Sequence, residues 1–133
     1  MRLGTFVIAV LIGAAFIGVL VAQGTPDYAT EIQPILSGNC AGCHVFTGSY
    51  EQVMAKQSGA DPLIVPGDAA ASVLIWRLEG QKADGTAIGR MPAGGSLTPE
   101  EIQLFKDWIA AGALEEAPTA VESRSWGQIK ASF

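Results

Sequence analysis

Cys40-Ala41-Gly42-Cys43-His44 is the stretch on which this 133-residue chain turns. Two cysteines separated by two residues and followed at once by a histidine have the spacing of a c-type haem attachment site. Each thiol can form a thioether to a haem vinyl group, and the adjoining imidazole suits iron. These are the only two cysteines and the only histidine in the sequence, so no other site competes for them. Three other readings exist. A zinc site usually draws on four Cys or His ligands, and the sequence holds three such residues. A thioredoxin-like redox pair belongs beside a strand–helix–strand pattern, which the neighbouring residues lack. A structural disulfide across two intervening residues is the third.

With His44 on one face, iron needs a sixth ligand or keeps an open position. A second histidine is not available. A methionine thioether is the usual partner in electron-carrying cytochromes. Apart from Met1, the methionines are Met54 and Met91. Met54 follows His44 by about ten residues, on a short predicted helix, and reads as core filler. Met91 follows about 47 residues later, after enough chain to cross to the opposite haem face. It lies between Gly89 and Pro92, ahead of Gly94 and Gly95. Glycines let backbone approach a flat cofactor closely. Met91 is therefore the expected second ligand.

Outward toward the N-terminus, no charge occurs between Arg2 and Asp27, and Phe6 to Ala22 is almost wholly apolar. The run is at the short end for a membrane span and long for the core of a secretory leader. A cut after Ala22 would leave Leu20, which is not small, three residues upstream. The expectation is a retained single-pass transmembrane anchor over residues 1–24, or an uncleaved signal, with a cleaved leader as the alternative. The haem domain would cover 25–113 and a tail 114–133. Arg2 sets the N-terminus on the cytoplasmic side. The remainder would then face the periplasm of a bacterial cytoplasmic membrane. That exported part has seven Lys and Arg against all thirteen Asp and Glu, a formal charge of −6. The whole-chain charge of −5 speaks against nucleic acid as a partner; the acidic part would steer a carrier toward a basic docking patch, or is only a soluble surface.

Further along, Thr25-Pro26-Asp27 resembles a helix start, and Pro34 interrupts a continuous helix. Ser49 to Gln52 has the capping-box pattern ahead of a short helix bearing Val53 and Met54. Ser58 to Gly67 reads as loop. Asp68 is the expected cap of a helix through Val73, Leu74, Trp76 and Leu78, ended by Gly80. Gln81 to Gly95 is glycine-rich loop. Thr98-Pro99-Glu100-Glu101 combines cap, proline and capping box. Ile102, Phe105, Trp108 and Ile109 recur at helical spacing up to Gly112. No run of strands is evident, so the soluble part is expected to be all-α. Trp126, Ile129 and Phe133 make the tail a candidate docking strap.

Five segments together resemble the small bacterial class I c-type cytochromes. They are Ile32-Gln33-Pro34-Ile35-Leu36, the Cys40 to His44 motif, Pro66-Gly67-Asp68, Met91-Pro92, and Trp108 to Ala113. They span about ninety residues. The resemblance implies three main helices around one covalent haem c. It also implies that the terminal helices touch, through Ile32 or Ile35 with Phe105 and Trp108. Cys40 and Cys43 would hold the haem, and His44 and Met91 would ligate the iron. The implied activity is one-electron transfer as a carrier or fixed subunit of a respiratory or photosynthetic chain, not enzymatic turnover. The alternative is an open-site haem enzyme or gas sensor of peroxidase-like type. A third is a structural subunit whose haem never turns over. The family often sets a proline carbonyl against the imidazole N–H. Its usual place is Lys56 here, so Pro62 and Pro66 are the substitutes to examine. Arg77, Arg90 and Trp76 are candidate partners for haem propionates.

Overall fold

The computed structural model describes residues 24–118. The apolar run Phe6–Ala22, and with it the expected anchor, lies outside the described residues. So does the tail from residue 119, including Trp126, Ile129 and Phe133.

Asp27 opens the first helical segment: its carboxylate accepts from the Thr30 N–H at 2.9 Å and from the Thr30 hydroxyl at 2.8 Å. The segment starts as a π-helical turn, Tyr28–Ile32, and continues as α1, Gln33–Asn39. Pro34 occupies the first turn of α1, where its missing N–H leaves no bond unmade. The wider turn just before it joins the two pieces without the clash that proline brings to a regular helix. Α 3-10 turn, Val45–Gly48, then leads into α2, Tyr50–Ala55. The Ser49 hydroxyl caps α2 by accepting from the Gln52 N–H at 3.4 Å.

The expectation of an all-α fold with three main helices is corrected here. The described residues contain four α-helices and a two-stranded antiparallel sheet. Strand β1, Gln57–Ser58, pairs with β2, Asp61–Pro62, with Gln57 opposite Pro62 and Ser58 opposite Asp61. Gly59 turns the hairpin at φ 70°, a conformation glycine adopts without steric cost. Two-residue strands exposed on both faces carry no alternation, so periodicity had nothing to register. The fourth helix in the count is α2, six residues long.

The single-pass anchor and the periplasm-facing membrane localisation are likewise not carried forward. Among the described residues no helix is long and apolar enough to cross a membrane. The longest of them, α4, has twelve residues, well under the roughly 20 that a span needs.

Helix α3, Val73–Glu79, begins at Ser72 rather than at an Asp68 cap. Asp68 instead caps the turn before it, accepting from the Ala71 N–H at 3.0 Å. Ser72 is fully buried; its hydroxyl donates to Asp68 O and accepts from Val65 N–H. Gly80 ends α3 in the left-handed region at φ 79°. Helix α4, Pro99–Ala110, carries the complete capping box between Thr98 and Glu101. Ile102, Phe105, Trp108 and Ile109 form its buried stripe.

One core unites the elements. The π-helical turn packs on α4, and α3 packs on α4. The Tyr28 ring lies 5.6 Å from Trp108 and 5.2 Å, edge-on, from Tyr50. Tyr50 donates its hydroxyl to Ala113 O at 2.9 Å, tying α2 to the segment after α4. The Tyr28 hydroxyl is buried and has no hydrogen-bond partner among the described residues. Burial, reinforced by Glu115 and Glu51, raises its pKa from 10.0 to about 12. The fold thus favours the neutral phenol. Stability from this group is complete below pH 10 and is lost as the pH rises toward 12, where the unfolded chain ionises first. Tyr28→Phe is expected to be neutral or to stabilise by up to about 1 kcal/mol at pH 8, since it deletes an orphaned hydroxyl. Its advantage should grow above pH 10. Urea unfolding at pH 8 and pH 11 reads both, and an unchanged alkaline decline would refute the assignment.

Candidate functional site

Helix α1 delivers the Cys-x-x-Cys-His stretch by running on past its last turn. Cys40 and Ala41 both donate their N–H to Leu36 O, at 2.9 and 3.2 Å. Cys43 and His44 then donate to Cys40 O, at 3.1 and 2.9 Å. The motif is therefore a tight double turn, with Cys40 half-buried, Cys43 exposed, and both free thiols. Burial pushes the Cys40 thiol pKa up.

His44 sits where the double turn becomes extended, at φ −124° and ψ 124°. Thr47, 3% exposed, holds this junction: its hydroxyl donates to His44 O at 3.0 Å. Gln33 of α1 donates through Nε2 to Thr47 O at 2.9 Å. A short polar chain thus ties α1 to the backbone of His44. The imidazole lies 5.1 Å from the Phe46 ring, tilted by 41°. Lys56 places its ammonium over the same ring, 5.8 Å from the centroid.

Cys40, His44 and Met91 meet at one cavity of about 410 Å³. Its apolar wall is Leu36 from α1, Leu63 after the hairpin, and Val73, Leu74 and Leu78 from the inner face of α3. Pro92 completes the wall beside Met91. Lys56, Gln57, Ser58, Gly59 and Arg77 give it a polar rim. An apolar cleft with a few polar groups, at a few hundred Å³, is the usual form of a cofactor site. Met54 does not line this cavity; it packs, half-buried, against the core. Cys43 does not line it either, being on the exposed side of the turn.

Of the four residues a covalent haem would need, Cys40, His44 and Met91 border this space and Cys43 does not. The donor set is one imidazole and one thioether, facing a space with apolar walls and flanked by a thiol. Among the described residues no three His, Cys, Asp or Glu side chains converge as a metal cluster requires.

The rim residues 56–59 were not foreseen, and nothing local distinguishes them; the hairpin carries them there. Lys56, at the position where the resemblance expects a proline, gives its carbonyl to the Leu63 N–H at 2.8 Å. Pro62 is held in β2 opposite Gln57. Of the three candidate propionate partners, Arg77 alone reaches the cavity. Trp76 donates its indole N–H to Ala70 O and lies beneath Lys82. Arg90 donates to Leu78 O.

No family model matches the chain, and no solved structure matches it. Among curated proteins, hydrazine synthase subunit alpha of Kuenenia stuttgartiensis is 27% identical over 125 aligned residues. The match takes in 68% of this chain and 16% of that protein, so the chain spans a small part of the relative's length.

Proposed function

We propose that the chain is a mono-haem c-type electron-transfer protein with His44 and Met91 as axial ligands. One observation carries the reading. Residues about fifty positions apart, Cys40 and His44 in one segment and Met91 in another, border the same apolar cavity. When bound, the haem supplies a one-electron ferric–ferrous couple.

The chain's own residues do the rest. Cys40 and Cys43 tether the ring through thioethers, so that it cannot dissociate between encounters. His44 is held by the Thr47–Gln33 chain, which limits how far its backbone shifts when the charge on the iron changes. Met91 supplies a soft sulfur, which favours the reduced state and raises the potential. The leucine and valine wall excludes water and lowers the local dielectric. With His44 and Met91 both holding the iron, no position would be left for a substrate. The acidic surface would favour redox partners that present a basic patch.

The likeness to a synthase subunit favours a second reading. In it, Met91 stays off the iron and the open face performs chemistry within a larger enzyme.

The test of the proposal is haem attachment. The full chain, produced in a host able to attach haem c, should retain one haem per chain after denaturation and acid extraction, read by mass. Cys40→Ser and Cys43→Ser together should abolish retention, and each alone should weaken it. Full retention in the double variant, or none in the wild type, would reject the reading.

A further inference from the structure

The loop that carries Met91 is bonded to one end of α3, residue by residue. A helix leaves its last carbonyls without partners inside the helix. At the end of α3, Trp76 O takes the N–H groups of Gly80 and Gln81, at 2.8 and 3.1 Å. The loop supplies partners for the carbonyls that follow. Ile88 N–H donates to Gly80 O at 2.9 Å, and Met91 N–H donates to Arg77 O at 2.7 Å. Arg90 Nε donates to Leu78 O at 2.8 Å. In return, Arg77 Nη1 donates to Gly89 O at 3.1 Å. All four residues from 88 to 91 are therefore engaged.

The contact is close as well as polar. The stem of Arg90 lies across Gly80, where an added Cβ would meet Arg90 Cβ at 3.4 Å, Cγ at 3.7 Å and Cδ at 3.8 Å. A guanidinium beside the carbonyl end of a helix is also favoured by the helix dipole. Val73, Leu74, Arg77 and Leu78 of α3 line the cavity that Met91 borders.

We propose that Arg90, with Arg77, is a positioning residue for Met91: the two guanidiniums lock the 88–91 loop to α3 and so set where the thioether stands over the cavity. The proposal rests on the reading of Met91 as an axial ligand. Arg90 is itself exposed, so its bond adds little to the core. Its loss should be felt at the sulfur and far less in the fold.

The experiment uses the full chain with haem attached, as wild type, Arg90→Leu, Arg90→Lys, Arg77→Gln and Met91→Ala. Leucine keeps apolar contact with Gly80 but removes the donor. Lysine keeps charge but not the planar donor geometry. The readouts are the far-red sulfur-to-iron band of the oxidised protein across pH, and the rate of carbon monoxide binding to the reduced protein. Arg90→Leu should raise the population of the methionine-off state about tenfold, the scale of one lost charge-assisted hydrogen bond. The band should vanish at lower alkaline pH than in wild type, and carbon monoxide should bind about tenfold faster. Arg90→Lys should fall between. Far-UV circular dichroism should match wild type. A merely structural role would move the melting temperature and leave the band's pH profile unchanged. Arg90→Leu and Arg77→Gln both behaving as wild type, with Met91→Ala losing the band, would overturn the positioning role and leave the ligand reading intact. A wild type with no band and free carbon monoxide binding would overturn the ligand reading, and the positioning role with it.

Discussion

Met91→Ala is expected to convert a closed haem into one that binds carbon monoxide readily, while Met54→Ala leaves it closed. Both methionines stand near the cavity in sequence, but Met91 alone borders it together with His44 and Cys40. Removing its thioether leaves the iron with His44 and either water or an empty position. The far-red band should disappear. The reduction potential should fall on the order of 0.1 V or more, a fraction of the roughly 0.8 V range that axial ligands span. Met54 is half-buried against the core, so its truncation should cost about 1–2 kcal/mol, below the range for a fully buried methionine, with an unchanged spectrum. Absorption spectra of both oxidation states, with and without carbon monoxide, and a redox titration compare the two variants. A Met91→Ala protein with the wild-type band and potential would remove the second ligand from this account. Free carbon monoxide binding by the wild type would instead favour the open-site enzyme reading.

Trp108→Ala should be the most destabilising single change in the core. Trp108 is fully buried and is the largest side chain there. Its ring lies 5.6 Å from Tyr28. Its indole N–H donates to Leu114 O at 2.8 Å, and its own carbonyl accepts from Ala113 N–H at 2.9 Å. The side chain therefore joins the first helical turn, α4 and the segment after it. Truncation leaves a cavity where three elements meet and strips Leu114 O of its donor. The expected loss is about 3–5 kcal/mol, against a total of roughly 5–15 kcal/mol for a domain. In a domain of this size that corresponds to a melting temperature lower by about 15–30 °C. Trp108→Phe keeps most of the volume and should lose about half as much. Thermal unfolding followed by far-UV circular dichroism gives both values. A fall of less than about 5 °C in the alanine variant would mean that the core is not organised around this residue.

Helix α4 is the most legible element among the described residues. Thr98, Pro99 and Glu101 act on one another within four residues, and the capping box forms with both of its bonds. Gly80 acted over an equally short distance and ends α3 as read, while Ser49 caps α2 through the Gln52 N–H, one half of the box read for it. Where a residue had two partners to choose from, local pattern was insufficient. Asp68 satisfies the cap rule, yet the helix starts at Ser72, because that hydroxyl is buried and needed by Val65 and Asp68 O at once. The hairpin at 57–62 was invisible because four exposed residues carry no period.

The sequence by itself determined which residues can serve: two thiols and one imidazole at attachment spacing, two candidate sulfurs, and an amphipathic stripe on α4. These follow from residue chemistry and from interactions a few positions apart. Only the tertiary structure decided that Met91 rather than Met54 borders the cavity with His44, and that Arg77 lines it while Arg90 grips α3. It also decided that a lysine and a hairpin form the rim. Those choices depend on segments 10 to 50 residues apart meeting in space. No local propensity encodes such meetings, because they arise only when the first helical segment and α3 pack on α4.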